Sequence, residues 1–310
     1  MSDLLQVTLP VFLVLSAGYA AVWRGVFSDD NVDALMRFTQ NFAIPCLLFA
    51  AISRLDLQAT FDWRLLVSYY TGTVASFFIG MAGARLIFGR PMTDAVAIGF
   101  CCFFANTLLL GLPIMSRAYG EDSLGPVFAI ISLHAPIGYL LGITTMEMVR
   151  SSGKGVFRTL TDIVKQILHN AIMIGIFLGF VANIGHITLP GVVMEAIDLI
   201  ARAGLPAALF GLGGVLYRYK PEGDLKEVAF ICLTGLVLQP IVVWGMARGV
   251  FSLSTEGLRA AVVVAAMAPG VNTYVFANMY GVAKRVAATS VLLGTALCIL
   301  TTAVWLTLLP

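Results

Sequence analysis

Ten apolar windows divide this chain, at approximately 4–24, 31–54, 63–88, 94–119, 124–149, 166–186, 192–217, 226–250, 255–280 and 285–309. Each is long enough to cross a hydrocarbon core about 30 Å thick, which takes roughly 20 helical residues. Nothing else in the sequence restricts the fold so severely, because a backbone in hydrocarbon must satisfy its own hydrogen bonds and can do so only as a helix or a closed barrel. A barrel would show alternating strands of about 10 residues, whereas these runs are continuous. Hydrophobic residues make up 59% of the 310 residues and charged ones 12%, with a mean hydropathy of +0.92, which is more apolar surface than a soluble domain can hide. The expectation is an all-α polytopic membrane protein with ten transmembrane helices.

The two halves echo each other. Ile44-Pro45-Cys46-Leu47-Leu48-Phe49-Ala50 returns 161 residues later as Leu205-Pro206-Ala207-Ala208-Leu209-Phe210-Gly211. At the same ungapped offset Gly18 meets Gly179, Ala21 meets Ala182, Tyr119 meets Tyr280 and Gly120 meets Gly281. Residues 1–150 and 166–310 therefore read as two five-helix repeats, joined by a short basic connector at 151–165. Five is odd, so a second half with the same fold must enter the membrane upside down relative to the first.

With ten spans, alternate loops share a side. Twelve basic residues (Arg24, Arg85, Arg90, Arg150, Lys154, Arg158, Lys165, Arg218, Lys220, Lys226, Lys284, Arg285) fall after odd-numbered spans, against five (Arg54, Arg64, Arg117, Arg248, Arg259) on the other side. That bias predicts the first set in the cytoplasm and both termini on the outer side of the inner (plasma) membrane. Met1-Ser2-Asp3 lacks the positive start of a signal peptide, so the first segment is expected to be retained. Trp23, Trp63 and Trp305, near window ends, fit interfacial anchoring. Five cysteines lie in apolar windows without Cys-x-x-Cys spacing, so neither a disulfide framework nor a metal site is expected. The sequence has no Gly-x4-Gly-Lys-Ser/Thr motif to support ATP hydrolysis.

The windows from 31, 94, 192 and 255 are interrupted. In spans 2 and 7 the repeated motif places Pro45 and Pro206. Span 4 reads Phe104-Ala105-Asn106-Thr107-Leu108-Leu109-Leu110-Gly111-Leu112-Pro113, and span 9 reads Met267-Ala268-Pro269-Gly270-Val271-Asn272-Thr273. Proline removes an amide donor and crowds the carbonyl four residues back, which hydrocarbon does not tolerate unless the freed groups line a cavity. Two inverted pairs of half-helices meeting near the bilayer midplane would aim partly positive N-termini at one point, and free amides there suit an anion.

On these residues the chain resembles the auxin efflux carrier family, whose bacterial members are ten-helix carriers of small carboxylates. The matching features are the Pro-x-x-Leu-Phe motifs of spans 2 and 7, Asn-x4-Gly-Leu-Pro of span 4, Ala-Pro-x-x-Asn of span 9 and the Tyr-Gly that closes both broken spans. The resemblance implies a fold shared with bile-acid sodium symporters, in which helices 4 and 9 are broken and cross, and one bundle supports while the crossing bundle moves. It also implies that Asn106 and Asn272, at the matching motif positions, hold the substrate carboxylate. Two departures narrow this. The long hydrophilic central loop of many plant auxin carriers is missing, which favours malonate- or malate-like acids over auxin. Residues 260–280 contain no Asp or Glu, so sodium coupling loses support, although Thr, Asn and carbonyl groups can also hold a hard cation.

Each asparagine offers two donors and an acceptor, usable for substrate or for carbonyls released by the break. Thr107 and Thr273 sit beside them and can contact a ligand or back-bond within their own helices. Pro45, Pro113, Pro206 and Pro269 shape the site, with Gly111 and Gly270 letting backbones approach. Asp198 and Arg202 lie one helical turn apart inside the seventh window, spaced for an ion pair. They act either as a pair at the outer interface or as a coupling proton site with an anion attractor. His134, well inside span 5, is either a packed core group or a proton relay. His169 and His186, toward the ends of span 6, read as interfacial.

The function expected is secondary transport of a small organic anion, a mono- or dicarboxylate, by alternating access. The alternative is a membrane sensor of the same acids built on a carrier fold. An intramembrane enzyme would need a cluster of metal ligands, paired carboxylates or an activated nucleophile, and three scattered histidines with few buried acids supply none. The partners expected are the organic acid, the lipid bilayer and a second copy in a homodimer through the supporting bundle, with proton or sodium coupling and no nucleic acid or other cofactor.

Overall fold

A computed structural model describes residues 2–57, 61–150, 170–219 and 224–310. Their regular structure is helical, and the one backbone pairing outside helices is a single antiparallel bridge between Ala105 and Pro269. The helices are α1 (Ser2–Trp23), α2 (Asp29–Ser53), α3 (Trp63–Leu86), α4 (Met92–Phe103), α5 (Leu112–Tyr119), α6 (Glu121–Arg150), α7 (Ala171–Ile184), α8 (Gly191–Tyr217), α9 (Leu225–Val250), α10 (Thr255–Ala265), α11 (Val271–Tyr280) and α12 (Lys284–Leu308). Six of them, α2, α3, α6, α8, α9 and α12, have 24 to 30 residues. At 1.5 Å per residue that is about 36–45 Å, enough to cross a bilayer core. The protein is thus a multi-pass membrane protein. The connector expected at 151–165, and His169, lie outside the described residues.

Helix starts are set by local chemistry. Ser28, Asp62, Asn170, Asp224 and Ser254 each accept a backbone N–H from the first turn of the helix that follows. These amides have no intrahelical partner, and a short polar side chain just before the helix supplies one.

The prolines of spans 2 and 7 do not break their helices as the sequence pattern suggested. Pro45 sits within α2 just after a π turn, Thr39–Ala43, and Pro113 and Pro240 follow π turns at Thr107–Gly111 and Thr234–Leu238. A π turn adds one residue to the helical loop, so it loosens the helix where the pyrrolidine ring would strike the carbonyl four residues back. For Pro240 that carbonyl belongs to Leu236, and Trp305 Nε1 donates to it at 3.1 Å. Pro206 lies inside α8, three residues past the single turn residue Ala203, and the helix runs on.

The chain forms two compact units, each drawn from both sequence halves. One contains Pro10–Thr60 and Thr161–Arg218. Within it Asn183 Nδ2 donates to the carbonyls of Ile52, Ser53 and Leu55, closing the end of α2, and Arg218 pairs with Asp29 and Asp33 at 3.0 and 2.7 Å. Asp198 also pairs there, but with Arg54, through bonds of 3.1 and 2.7 Å, instead of with Arg202 one turn away. Both partners are partly exposed, and such a pair contributes about 0–1 kcal/mol. Arg202 is exposed.

The other unit contains Met1–Leu9, Phe61–Leu160 and Tyr219–Pro310, and therefore both broken spans. Arg90 grips the buried Glu227 through two bonds of 2.7 and 2.9 Å, with Asp94 at 3.7 Å, and ties the start of α4 to the start of α9. The residues that enter the breaks are buried on every side, from Ala95 to Phe103 in α4 and from Ala260 to Ala265 in α10. A helix apolar all round belongs in the middle of a bundle.

Candidate functional site

Both broken spans stop at the same place and bond to each other there. Phe104 leaves helical geometry (φ −87°, ψ 80°), and Gly270 is extended (φ −75°, ψ 159°). Asn106 N donates to Ala268 O and Gly270 N donates to Phe104 O, each at 2.8 Å, on either side of the Ala105–Pro269 bridge. These two bonds satisfy backbone groups that a break in hydrocarbon would otherwise orphan. Neither needs an N–H from residue 269, so proline fits there without cost. Behind the bridge α12 comes close, since a Cβ on Gly294 would lie 2.8 Å from Pro269 Cδ. The uniform offset of 161 would set Ala105 against Ala266, whereas the bridge sets it against Pro269. Beyond the bridge the first half takes up the difference around its π turn, and Tyr119 and Tyr280 return to the common offset.

The expected site residues divide by unit. Asn106, Thr107, Gly111, Pro113, Pro269, Gly270, Asn272, Thr273 and His134 all belong to the unit with the bridge, whereas Pro45, Pro206, Asp198 and Arg202 belong to the other. Asn106 is buried, 6% exposed, and its Oδ1 accepts from Leu109 N at 3.2 Å while its Nδ2 has no partner. Thr107 is buried with its N–H on Ala105 O. Gly111 presses on α10, where a Cβ would fall 2.7 Å from Val264 Cγ1. Pro113 is buried in the first turn of α5. Asn272, by contrast, is exposed, and Thr273 back-bonds through Oγ1 to Gly270 O at 2.8 Å.

The two helix starts differ in what their amides do. Past the first break, Leu109 N is taken by Asn106 Oδ1, Leu110 N and Gly111 N by Asn106 O, and Thr107 N by Ala105 O. At the second, no side chain caps α11. Thr273 N is taken by Gly270 O at 2.9 Å, which leaves the first-turn N–H groups of Val271 and Asn272 uncapped, and the dipole of a helix start favours a negative ligand there. Asn106 borders this point, its Cα lying 3.6 Å from the Cβ position of Gly270.

Next to the break an aromatic cluster gathers around His134. Phe100 stacks on Phe276 at 4.2 Å between centroids, and His134 lies parallel to Phe103 at 5.3 Å and tilted against Phe104 at 4.6 Å. Tyr69 Oη is 3.4 Å from His134 Nδ1, and His134 Nε2 is buried without a partner. The signal for this cluster was Gly138 and Gly142, one turn apart in span 5. A Cβ at Gly138 would strike Phe103 and Phe104, and one at Gly142 would strike Phe100 and Phe276. At the far ends of the broken spans, Arg259 lies over Tyr119 at 4.3 Å and Arg150 over Tyr280 at 4.7 Å.

A multi-pass helical membrane protein with two discontinuous spans joined at their interruptions has the architecture of a transporter. The sequence profile of the family described as Membrane transport protein matches residues 4–306, and the chain belongs to this family, the auxin efflux carrier family. It is 25% identical to the uncharacterized transporter YfdV of Escherichia coli K12, over 96% of this chain and 95% of that protein. It is 22% identical to a putative malonate transporter of Rhizobium meliloti, over 97% and 94% of the two chains. Auxin efflux carrier component 5 of Arabidopsis thaliana is 21% identical over 94% and 92%.

Proposed function

We propose that this protein is a secondary transporter that carries a small organic anion, a mono- or dicarboxylate such as malonate or malate, by alternating access. The observation that carries the proposal is the uncapped start of α11 beside the buried, unpartnered amide of Asn106. A carboxylate there would accept the N–H groups of Val271 and Asn272 at the start of α11 and an N–H of Asn106 Nδ2, with the Asn272 side chain approaching from the exposed side. Charge-assisted bonds of this kind are the stronger class of hydrogen bond. The names of the relatives, a putative malonate transporter among them, support a carboxylate.

In this reading the fold is ten transmembrane helices arranged as two inverted five-helix repeats, with the fourth and ninth spans broken and crossing at the Ala105–Pro269 bridge. The unit holding the bridge carries the substrate, and the other, with Pro45 and Pro206, supports it. The protein sits in the inner membrane with both termini outside. Substrate transfer requires no covalent chemistry, and its selectivity rests on hydrogen-bond donors and shape.

The test is uptake by purified protein in liposomes, offering labelled malonate, malate and an aromatic acid. Saturable uptake of a small dicarboxylate, lost in Asn106→Ala and Asn272→Ala, is the expected result. Uptake that survives both substitutions would move the site elsewhere, and ligand-dependent thermal stabilisation without any transport would make the protein a sensor.

A further inference from the structure

We infer that His134 takes up the proton that travels with the anion, so that the protein is a proton–carboxylate symporter. The inference rests on the carrier reading above and adds the identity of the coupling ion and of its binding group. The imidazole is 2% exposed, lies on the rings of Phe103 and Phe104, and runs beside the backbone of Ala105, the residue that bridges to Pro269. One ring nitrogen meets Tyr69 Oη, the backbone of Ala105 is the polar group beside the ring, and Nε2 makes no well-formed hydrogen bond. When Nδ1–H donates to Tyr69, Nε2 holds a bare lone pair directed into the protein.

The other titratable groups nearby are few. Tyr69 and, beyond it, Tyr70 come from α3, and Tyr139 comes from α6 itself. The acids and bases of α6, Glu121, Asp122, Glu147 and Arg150, are more than three helical turns away along the helix. Asp94 sits in the first turn of α4, and Glu256 and Arg259 occupy the first two turns of α10. Among the described residues no carboxylate pairs with the ring, so an imidazolium here would have no counter-charge from them.

Coupling follows from that lack. An imidazolium in this aromatic cluster is costly alone, and so is a carboxylate buried at the adjacent break, but together each relieves the other. The states that form readily are the empty neutral one and the doubly loaded one. A proton from water adds to Nε2 as the anion binds and leaves to water on the opposite side as the anion departs.

Proton uptake on binding is the direct test. Calorimetric titration of wild-type protein with malonate at pH 7.5, in buffers of differing ionisation enthalpy, is expected to show about one proton bound per anion. Affinity should then fall roughly tenfold per pH unit above neutrality. His134→Gln is expected to bind more weakly, take up no proton and show a flat pH profile, and in liposomes it should lose accumulation driven by an inward proton gradient. A purely structural role would lower affinity without changing the proton count. Wild-type protein that binds and carries malonate with no proton taken up overturns the inference while leaving the carrier reading intact, whether or not the variant folds. Protein that neither binds nor carries any of the tested acids overturns the carrier reading, and this inference with it.

Discussion

The two interruptions perform the same backbone manoeuvre with different chemistry. Both stop a helix that is buried where it enters the break, meet at one antiparallel bridge and begin a new helical segment. The first is self-sufficient: Asn106 caps its own π turn with Oδ1 and its carbonyl accepts two further amides. The second is more open: the Gly270 carbonyl accepts Thr273 N and Thr273 Oγ1, but Gly270 has no side chain to cap α11 and Asn272 is exposed. Two breaks of similar backbone form therefore need not offer similar surroundings. The first break is closed by its own side chain, and the second leaves its helix start without a side-chain cap.

This asymmetry makes measurable demands. The largest effect is expected on substrate affinity, where removing a hydrogen bond to a charged group costs about 1.5–3 kcal/mol, tenfold or more in binding. Both Asn106→Ala and Asn272→Ala should show it in calorimetry with malonate, and an unchanged affinity at Asn272 would make the open break a mere gap. Next comes packing. Gly111→Ala drives a methyl into Val264 and should destabilise the protein by about 1–3 kcal/mol. Gly270→Ala meets Phe104 only at 3.4 Å with φ already at −75°, and should stay within about 1 kcal/mol of wild type. Thermal unfolding in detergent measures both, and equal losses would erase the distinction.

Smaller still is the capping contribution. Asn106→Ala removes the cap on Leu109 and should cost about 1 kcal/mol of stability, whereas exposed Asn272→Ala should fall within about 0.5 kcal/mol. The same unfolding assay, without substrate, checks this pair. The smallest effects belong to the outer ends. Replacing Arg259 or Arg150 by Gln removes a cation from the face of Tyr119 or Tyr280 at about 0.5–1 kcal/mol. Each also gives up a bond to a backbone carbonyl, Arg150 to Tyr280 O at 2.7 Å and Arg259 to Pro310 O at 2.6 Å, so the two losses should be similar.

Part of this was legible in the residues. The windows at 63–88, 226–250 and 285–309 mark α3, α9 and α12 within a few residues, because the demand for an unbroken apolar helix is local and strong. Asn106 and Pro269 marked the breaks, because a proline or a capping side chain in mid-span changes the backbone whatever surrounds it. The same reasoning misjudged Pro45 and Pro206. A proline demands only relief of one clash and one missing donor, and α2 supplies the relief with a π turn while keeping its course. Asp198 and Arg202 had the right spacing for a pair, yet Arg54 offers a two-pronged partner from 144 positions away in the chain.

Local chemistry thus settled which segments are helical and apolar, where two of them must stop, and to which family the chain belongs. The folded arrangement decided partnerships: that Ala105 meets Pro269, that Trp305 serves the carbonyl Pro240 leaves free, that Phe103 and Phe104 enclose His134, and that one break caps itself while the other does not. The physical reason is range. Helix formation and helix breaking depend on neighbours within a turn or two, whereas the satisfaction of a buried polar group depends on whichever atom the packed chain brings within about 3 Å.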